Sequence, residues 1–419
     1  MIQRQNKMAV FLNKVIYPAI LAIVFFLPAY LIRFKIFGLP TTLLEVLIYI
    51  LFLLWLAKQA FNGDWRITQN IELNRSNKLL FIGLSLFIGG ALIASLFSSN
   101  KEASFGLLKA YFFDPFLFFI VAVYSLKIKN ISAVLKTYLF SALGVSVLAF
   151  FYFLGGELTY DGRLQGIFNS PNFLAMYITP AIIIGLWQLF SNTHTERSKI
   201  WFHRFISAFL IFILYLTTSY GAFLGIILAA FFILFLQSPN LWKSDFHRLG
   251  VVAVILLLFA FQWPTDKFQK LLSFSPESSI TQRIYIWKAS ASILKDNFLL
   301  GIGPGMFQEY YQFYALKNST NGMDLSVPYP HNIFLAFFIQ NGLIGGIGFL
   351  LLLFWYVKSV FEIFKSEQKK YAVLFGAFLV YFLVHGMTDT LYWKNDLSLL
   401  FFVFLSAVFI IRNEFKKLR

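Results

Sequence analysis

Three residues in this 419-residue chain combine a chemical type with a setting that suits anion binding and proton transfer: Arg163, Arg283 and His331. Arg163 lies in a loop over 155–171, just before Asn169-Ser170-Pro171-Asn172, a turn that opens the next helix. A helix start offers free N–H groups and a positive dipole end, and an arginine beside it can hold a phosphate through two parallel bonds. Asn172 stands at that helix start and is a second candidate for the anion. The competing reading for Arg163 is an interfacial side chain reaching for lipid headgroups. Arg283 and Trp287 are four residues apart and share a helix face, which suggests a phosphate contact with the indole as its brace. An amphipathic helix gripping the membrane interface would use the same pair.

His331, in Pro330-His331-Asn332, joins a long polar segment to a long apolar helix. A neutral imidazole there could take a proton from a hydroxyl near physiological pH, and Asn332 beside it could contact the substrate. A helix cap is the structural alternative. His385 and Asp389, spaced i, i+4 near a helix end, read as a supporting pair, and Ser219 as a further supporting residue. Two ligands are too few for a metal, and no H-E-x-x-H pattern occurs, so no metal and no cofactor are expected. Gly301, Gly303 and Gly305 follow no strand and lack the lysine of a phosphate loop, so they read as a turn.

The elements that must position these groups are membrane helices. The chain is 59% hydrophobic and only 13% charged, well short of the roughly 25% charged residues of soluble domains. Repeated apolar runs predict an all-α polytopic membrane protein with about twelve helices, near 15–32, 42–58, 78–98, 107–126, 132–154, 172–190, 204–219, 221–237, 249–263, 332–357, 371–389 and 397–412. Alternating ten-residue segments do not recur, which argues against a membrane β-barrel. The chain then divides into helices over 1–263, a large extramembrane loop over 264–331 and helices over 332–419. Within that loop, Ser279 and Gln282 suggest a capping box before a helix of 280–297, with Ile284, Trp287, Ala291 and Leu294 as its apolar stripe. A second loop helix over about 305–317 carries Tyr310, Tyr311 and Tyr314, which read as interfacial aromatics or sugar-stacking rings.

The net charge of +16 comes from short basic clusters between apolar runs, a topology signal that does not point to nucleic acid. With the N-terminus inside, 23 of the 35 Lys and Arg fall on the cytoplasmic side. Both termini are then cytoplasmic, and Arg163, Arg283, His331 and His385 lie on the outer face. The basic and apolar N-terminus resembles a signal peptide but reads as a retained first helix. The absence of cysteine rules out a disulfide and a thiol nucleophile.

The stretches GRLQGIFNSPNFLAMYI, LTTSYGAFLG, RIYIWKASASILKDNFLLGIGPGMF and PHNIFLAFFIQNGLIGG, over roughly 160–350, resemble the O-antigen ligase and polymerase superfamily. The resemblance implies transfer of a glycan from an undecaprenyl-pyrophosphate carrier to a hydroxyl of a glycolipid, glycan or protein acceptor, in the bacterial cytoplasmic membrane, without metal or nucleotide sugar. It also implies that Arg163 and Arg283 grip the pyrophosphate and that His331 is the catalytic residue. Two positions depart from the pattern: Tyr220 stands where the family often has a third arginine, and Gln340 where it often has an acidic residue. Within the superfamily the alternatives are a polysaccharide polymerase and a protein oligosaccharyltransferase. A transporter or lipid flippase would need inverted repeats and deep charges, and no repeat is evident.

Overall fold

A computed structural model describes residues 2–62, 75–190, 197–237, 263, 265–273, 275, 278–317 and 324–417. The chain is an all-α polytopic membrane protein. Among the described residues nine helical segments are long and apolar enough to cross a membrane, and two shorter apolar helices accompany them. The first part comprises α1 (Ile2–Phe25), a small hairpin of β1 (Arg33–Ile36) and β2 (Leu39–Thr42), α2 (Leu43–Asn62) and α3 (Arg75–Leu96). Next come α4 (Lys101–Leu108) and α5 (Asp114–Ser125), joined through a π-turn at Lys109–Phe113, then α6 (Ile128–Leu154), α7 (Pro171–Phe190), α8 (Arg197–Leu216) and α9 (Tyr220–Gln237). The runs expected at 204–219 and 221–237 are two separate helices. The helix expected near 249–263 falls almost wholly outside the described residues.

The polar segment contributes α10 (Asp266–Leu272), α11 (Ser279–Asn297) and α12 (Phe307–Lys317), followed by α13 (Ile333–Phe364), α14 (Lys369–Gly386) and α15 (Asn395–Lys417). Helix α13 packs along α3, α14 along α9 and α15 along α5. The α3–α13 contact brings backbone against backbone: a Cβ added to Gly90 would lie 2.2 Å from the Gly345 nitrogen. Lipid tails are as apolar as leucine, so such small-residue contacts, which maximise van der Waals area, hold membrane helices together.

Helix α13 is not the single rod that its apolar run suggests. It breaks at Gly342, with φ 65° and ψ −170°, and its first part folds back so that the Phe337 and Phe349 rings stack at 4.2 Å. The break exposes carbonyls that the helix can no longer satisfy, and the glycine turn after α11 takes them up. Ile302 N–H donates to the Ile339 carbonyl at 2.9 Å and Gly303 N–H to that of Gln340 at 3.0 Å. The Gln340 side-chain oxygen accepts the Gly305 N–H at 2.7 Å. Gly301, at φ 74°, approaches so closely that its Cβ would stand 2.4 Å from the Gly342 nitrogen. The glycine run is thus a turn, and its role is to seal a broken membrane helix.

Two local expectations need correction. The cap of α11 is Ser278, whose Oγ accepts the Thr281 N–H at 3.2 Å, rather than Ser279. The buried face of α11 is Ile286, Ala289, Ser290 and Ile293, while Ile284 is exposed. The stripe is displaced because α11 docks on α12 and on the folded-back start of α13, forming a second apolar cluster with Phe307, Tyr311 and Ile339. Tyr311 is fully buried in that cluster and its hydroxyl donates to the Asp324 carbonyl, so it is neither interfacial nor open to a sugar.

Candidate functional site

One polar cavity of about 260 Å³ opens where the 155–170 loop, the start of α9, α10, α11 and the loop before α13 meet. Arg163, Asn172, Ser219, Lys267, Arg283 and His331 all line it. Five of the six come from the sequence reading, and they converge from four separate stretches of chain.

Each arginine is held through its Nε by a carbonyl. Arg163 Nε donates to Thr217 at 2.8 Å, in the turn before α9, and Arg283 Nε to Thr388 at 2.8 Å, in the turn after α14. Arg283 Nη1 adds a bond to the Ser279 carbonyl at 3.2 Å. Burial lowers the affinity of both guanidinium groups for their proton, more than Asp161 and Asp389 restore it at Arg163 or Asp389 restores it at Arg283. A guanidinium nonetheless stays charged in a protein, so the cavity carries two fixed, partly desolvated positive charges.

Asp389 ties them to the histidine. The Arg163 Nη2 donates to the Asn172 side-chain oxygen at 2.6 Å, and the Asn172 amide donates to Asp389 Oδ2 at 2.8 Å. Asp389 Oδ1 accepts the Thr390 N–H at 2.9 Å and lies 3.1 Å from His331 Nδ1. Burial alone would push this carboxyl up; His331, with His385 and Arg283 behind it, outweighs burial and holds it below the usual carboxylate range. An ionised Asp389 can only accept, so in the neutral imidazole it is Nδ1 of His331 that carries the proton, and the Nε2 lone pair is then left for an incoming hydroxyl. Among the described residues Nε2 has no hydrogen-bond partner, and the ring lines the cavity.

His331 is held in a left-handed conformation, φ 47°, uncommon for a residue with a side chain. Trp287 stabilises that turn, its indole N–H donating to the Pro330 carbonyl at 3.1 Å. The tryptophan therefore braces the histidine loop and not Arg283. Asn332, expected to touch the substrate, caps α13 instead: its oxygen accepts from Phe334 N–H at 3.0 Å and Leu335 N–H at 3.1 Å, and its amide donates to the Met387 carbonyl at 3.2 Å. His385 lies close enough to Asp389 to favour its charge, but its hydrogen bond goes elsewhere. Its Nδ1 meets the Tyr381 hydroxyl at 2.9 Å, while Asp389 pairs with His331, 58 positions from that aspartate in sequence.

Lys267 escaped the sequence reading. It sits on a short helix whose only sequence signal is one basic residue among several in a polar stretch. In space its ammonium stands 4.7 Å from the centre of the Tyr220 ring and donates to the Thr218 carbonyl. Lys394 was also missed; it pins the loop behind Arg163, donating to the Asn169 side chain at 3.0 Å with its ammonium 3.6 Å from the centre of the Phe173 ring. Among the described residues no group of three or more His, Asp and Glu side chains converges as metal ligands do.

Residues 205–350 match the family model described as O-Antigen ligase. The likeness to the O-antigen ligase superfamily is thereby borne out. The matched segment runs from α8 into α13 and holds Ser219, Lys267, Arg283 and His331, while Arg163, Asn172 and Asp389 lie outside it. A Rickettsia conorii protein carrying the provisional description of polysaccharide ligase is 26% identical over 329 aligned residues, which cover 74% of each chain. At the level of the family, the likeness is to glycan-joining membrane enzymes.

Proposed function

We propose that the protein transfers a glycan from an undecaprenyl-pyrophosphate carrier to an acceptor hydroxyl, as an O-antigen ligase does, on the extracytoplasmic face of the bacterial cytoplasmic membrane. The observation that supports this best is the unbroken chain of bonds from Arg163 through Asn172 and Asp389 to His331, with Arg163, Asn172 and His331 lining a cationic cavity and Asp389 behind them. It couples an anion-binding group to a proton-accepting group. Negative charge grows on the pyrophosphate as its glycosyl bond breaks. Arg163 and Arg283, fixed in a partly dry pocket, stabilise that charge more in the transition state than in the ground state. His331 Nε2 takes the proton of the acceptor hydroxyl as its oxygen attacks the anomeric carbon, and Asp389 stabilises the imidazolium that forms. Attack in line with the departing pyrophosphate inverts that carbon. None of these roles calls on a metal or a nucleotide sugar.

In this reading 264–331 is the extracytoplasmic loop between two sets of membrane helices, 1–263 and 332–419, and both termini are cytoplasmic. The test uses membranes of a strain lacking its own O-antigen ligase and supplied with lipid-linked O-antigen. Wild type should produce a glycolipid ladder on a gel, and His331→Ala and Arg283→Ala, expressed at equal levels, should abolish it. A ladder that survives His331→Ala removes the histidine as base. No ladder from well-expressed wild type rejects lipopolysaccharide as acceptor and moves the reading to a lipid-linked repeat or a protein.

A further inference from the structure

We propose that Lys267 is a third cation of the anion pocket, supplied by the loop helix α10 and steadied on the ring of Tyr220. The proposal rests on the reading of the cavity as a diphosphate site and adds a residue to it. Its ammonium donates to the Thr218 carbonyl, next in sequence to the Thr217 carbonyl that holds Arg163 Nε, so one turn orients both cations. At 4.7 Å from the Tyr220 centroid, that ammonium also lies within cation–π range of the ring. Lys267, Tyr220, Arg163 and Arg283 line the same cavity. Tyr220, which stands where the resembled family often has an arginine, thus carries a lysine brought in from another element.

The charge balance around Lys267 fits a site built to be filled. Burial, then Arg163 and Arg283, lower its amine to about 6, with Asp161 and Asp389 opposing. Tyr220 also faces it. A lysine in that setting holds its proton weakly while the pocket is empty. A bound diphosphate reverses the local field, favours the ammonium and draws in a proton. Anion affinity contributed by Lys267 is then largest below about pH 6 and declines as pH rises through neutrality.

Calorimetric titration of the full chain in lipid nanodiscs with inorganic pyrophosphate, between about pH 6 and pH 8.5, tests this. Buffers of different ionisation enthalpy report the protons taken up. Lys267→Ala should weaken binding about tenfold or more at about pH 6, less toward about pH 8.5, and remove the proton uptake. Lys267→Arg, charged throughout that range, should bind within about threefold of wild type at about pH 6, show no uptake and lose less affinity than wild type toward about pH 8.5. Wild-type affinity in Lys267→Ala, with binding lost in Arg283→Ala, overturns the role of Lys267 and leaves the anion site standing. Loss of binding in Lys267→Arg overturns it as well, because the positive charge would then not be what matters. Absence of pyrophosphate binding by wild type removes the anion site itself and this inference with it.

Discussion

Replacing Asp389 by Asn keeps the side chain's shape and removes the charge on which His331 depends. The carboxylate makes three contacts, to His331 Nδ1 at 3.1 Å, to the Asn172 amide at 2.8 Å and to the Thr390 N–H at 2.9 Å. An amide can keep its oxygen toward Asn172 or toward the histidine, but not both, and its NH₂ would favour the wrong imidazole tautomer. A hydrogen bond to a charged group contributes about 1.5–3 kcal/mol, so losing it in the transition state slows turnover roughly 10- to 150-fold. The donor KM should move little, because the cavity itself is lined by Arg163 and Arg283 rather than by Asp389. The assay is transfer of a lipid-linked glycan by the purified chain in nanodiscs, with kcat and KM determined separately and thermal unfolding as the folding control. If the two residues act as a unit, His331→Ala/Asp389→Asn should be no slower than His331→Ala alone. Turnover within about threefold of wild type, or two effects that multiply, would refute the dyad.

Arg283→Lys loses the anchoring bond to Thr388 and the bond to Ser279, and should raise the donor KM about tenfold or more in the same assay. Asp389 titrates below its unfolded value, so the stability it contributes is complete above about pH 4 and declines as pH falls below that; wild type should therefore lose more Tm between about pH 5 and pH 3 than Asp389→Asn does. Gly301→Ala forces a side chain into φ 74° and within 2.4 Å of the Gly342 nitrogen, and should destabilise by about 2 kcal/mol or more, read as a fall in Tm or in yield of folded protein. Trp287→Phe keeps the ring and loses the bond to Pro330; kcat should fall several-fold with Tm nearly unchanged.

What the sequence made legible depended on how local the determinants were. Apolar runs report on lipid directly, so most expected helices recur within several residues wherever the chain is described; the first does not, because the run expected at 15–32 divides between α1 (Ile2–Phe25) and a 3-10 turn at Leu27–Leu31. Arg163, Arg283 and His331 stood out because charged and titratable groups are sparse in such a chain, and a helix start or a loop end marked each one. At the site the failures are matters of pairing. Asp389 is four residues from His385, yet its bond goes to His331, because the loop before α13 folds over the end of α14. Asn332 looked like a ligand beside a histidine, but the need of a helix start for caps claimed it. The buried face of α11 was displaced because its partner is the start of α13, and nothing in the periodicity of α11 reveals that partner. Lys267 carried no local signal at all; only the approach of α10 to the turn before α9 gives it meaning.

The reversal at Gly342 divides one apolar run between two demands. Read as a straight rod, the 32 residues of α13 would reach about 48 Å, far beyond the roughly 30 Å of hydrocarbon in a bilayer. After the break about 22 residues remain, close to 33 Å, and these alone have to match the membrane's thickness. The residues before it are released from that constraint. They can hold Gln340 and Asn341, fully buried polar groups of a kind a lipid-facing span could not carry, and can set the position of His331 from a fulcrum inside the protein. Bilayer fit and the placement of the base are thus governed by different residues of the same helix, and either can change without resetting the other.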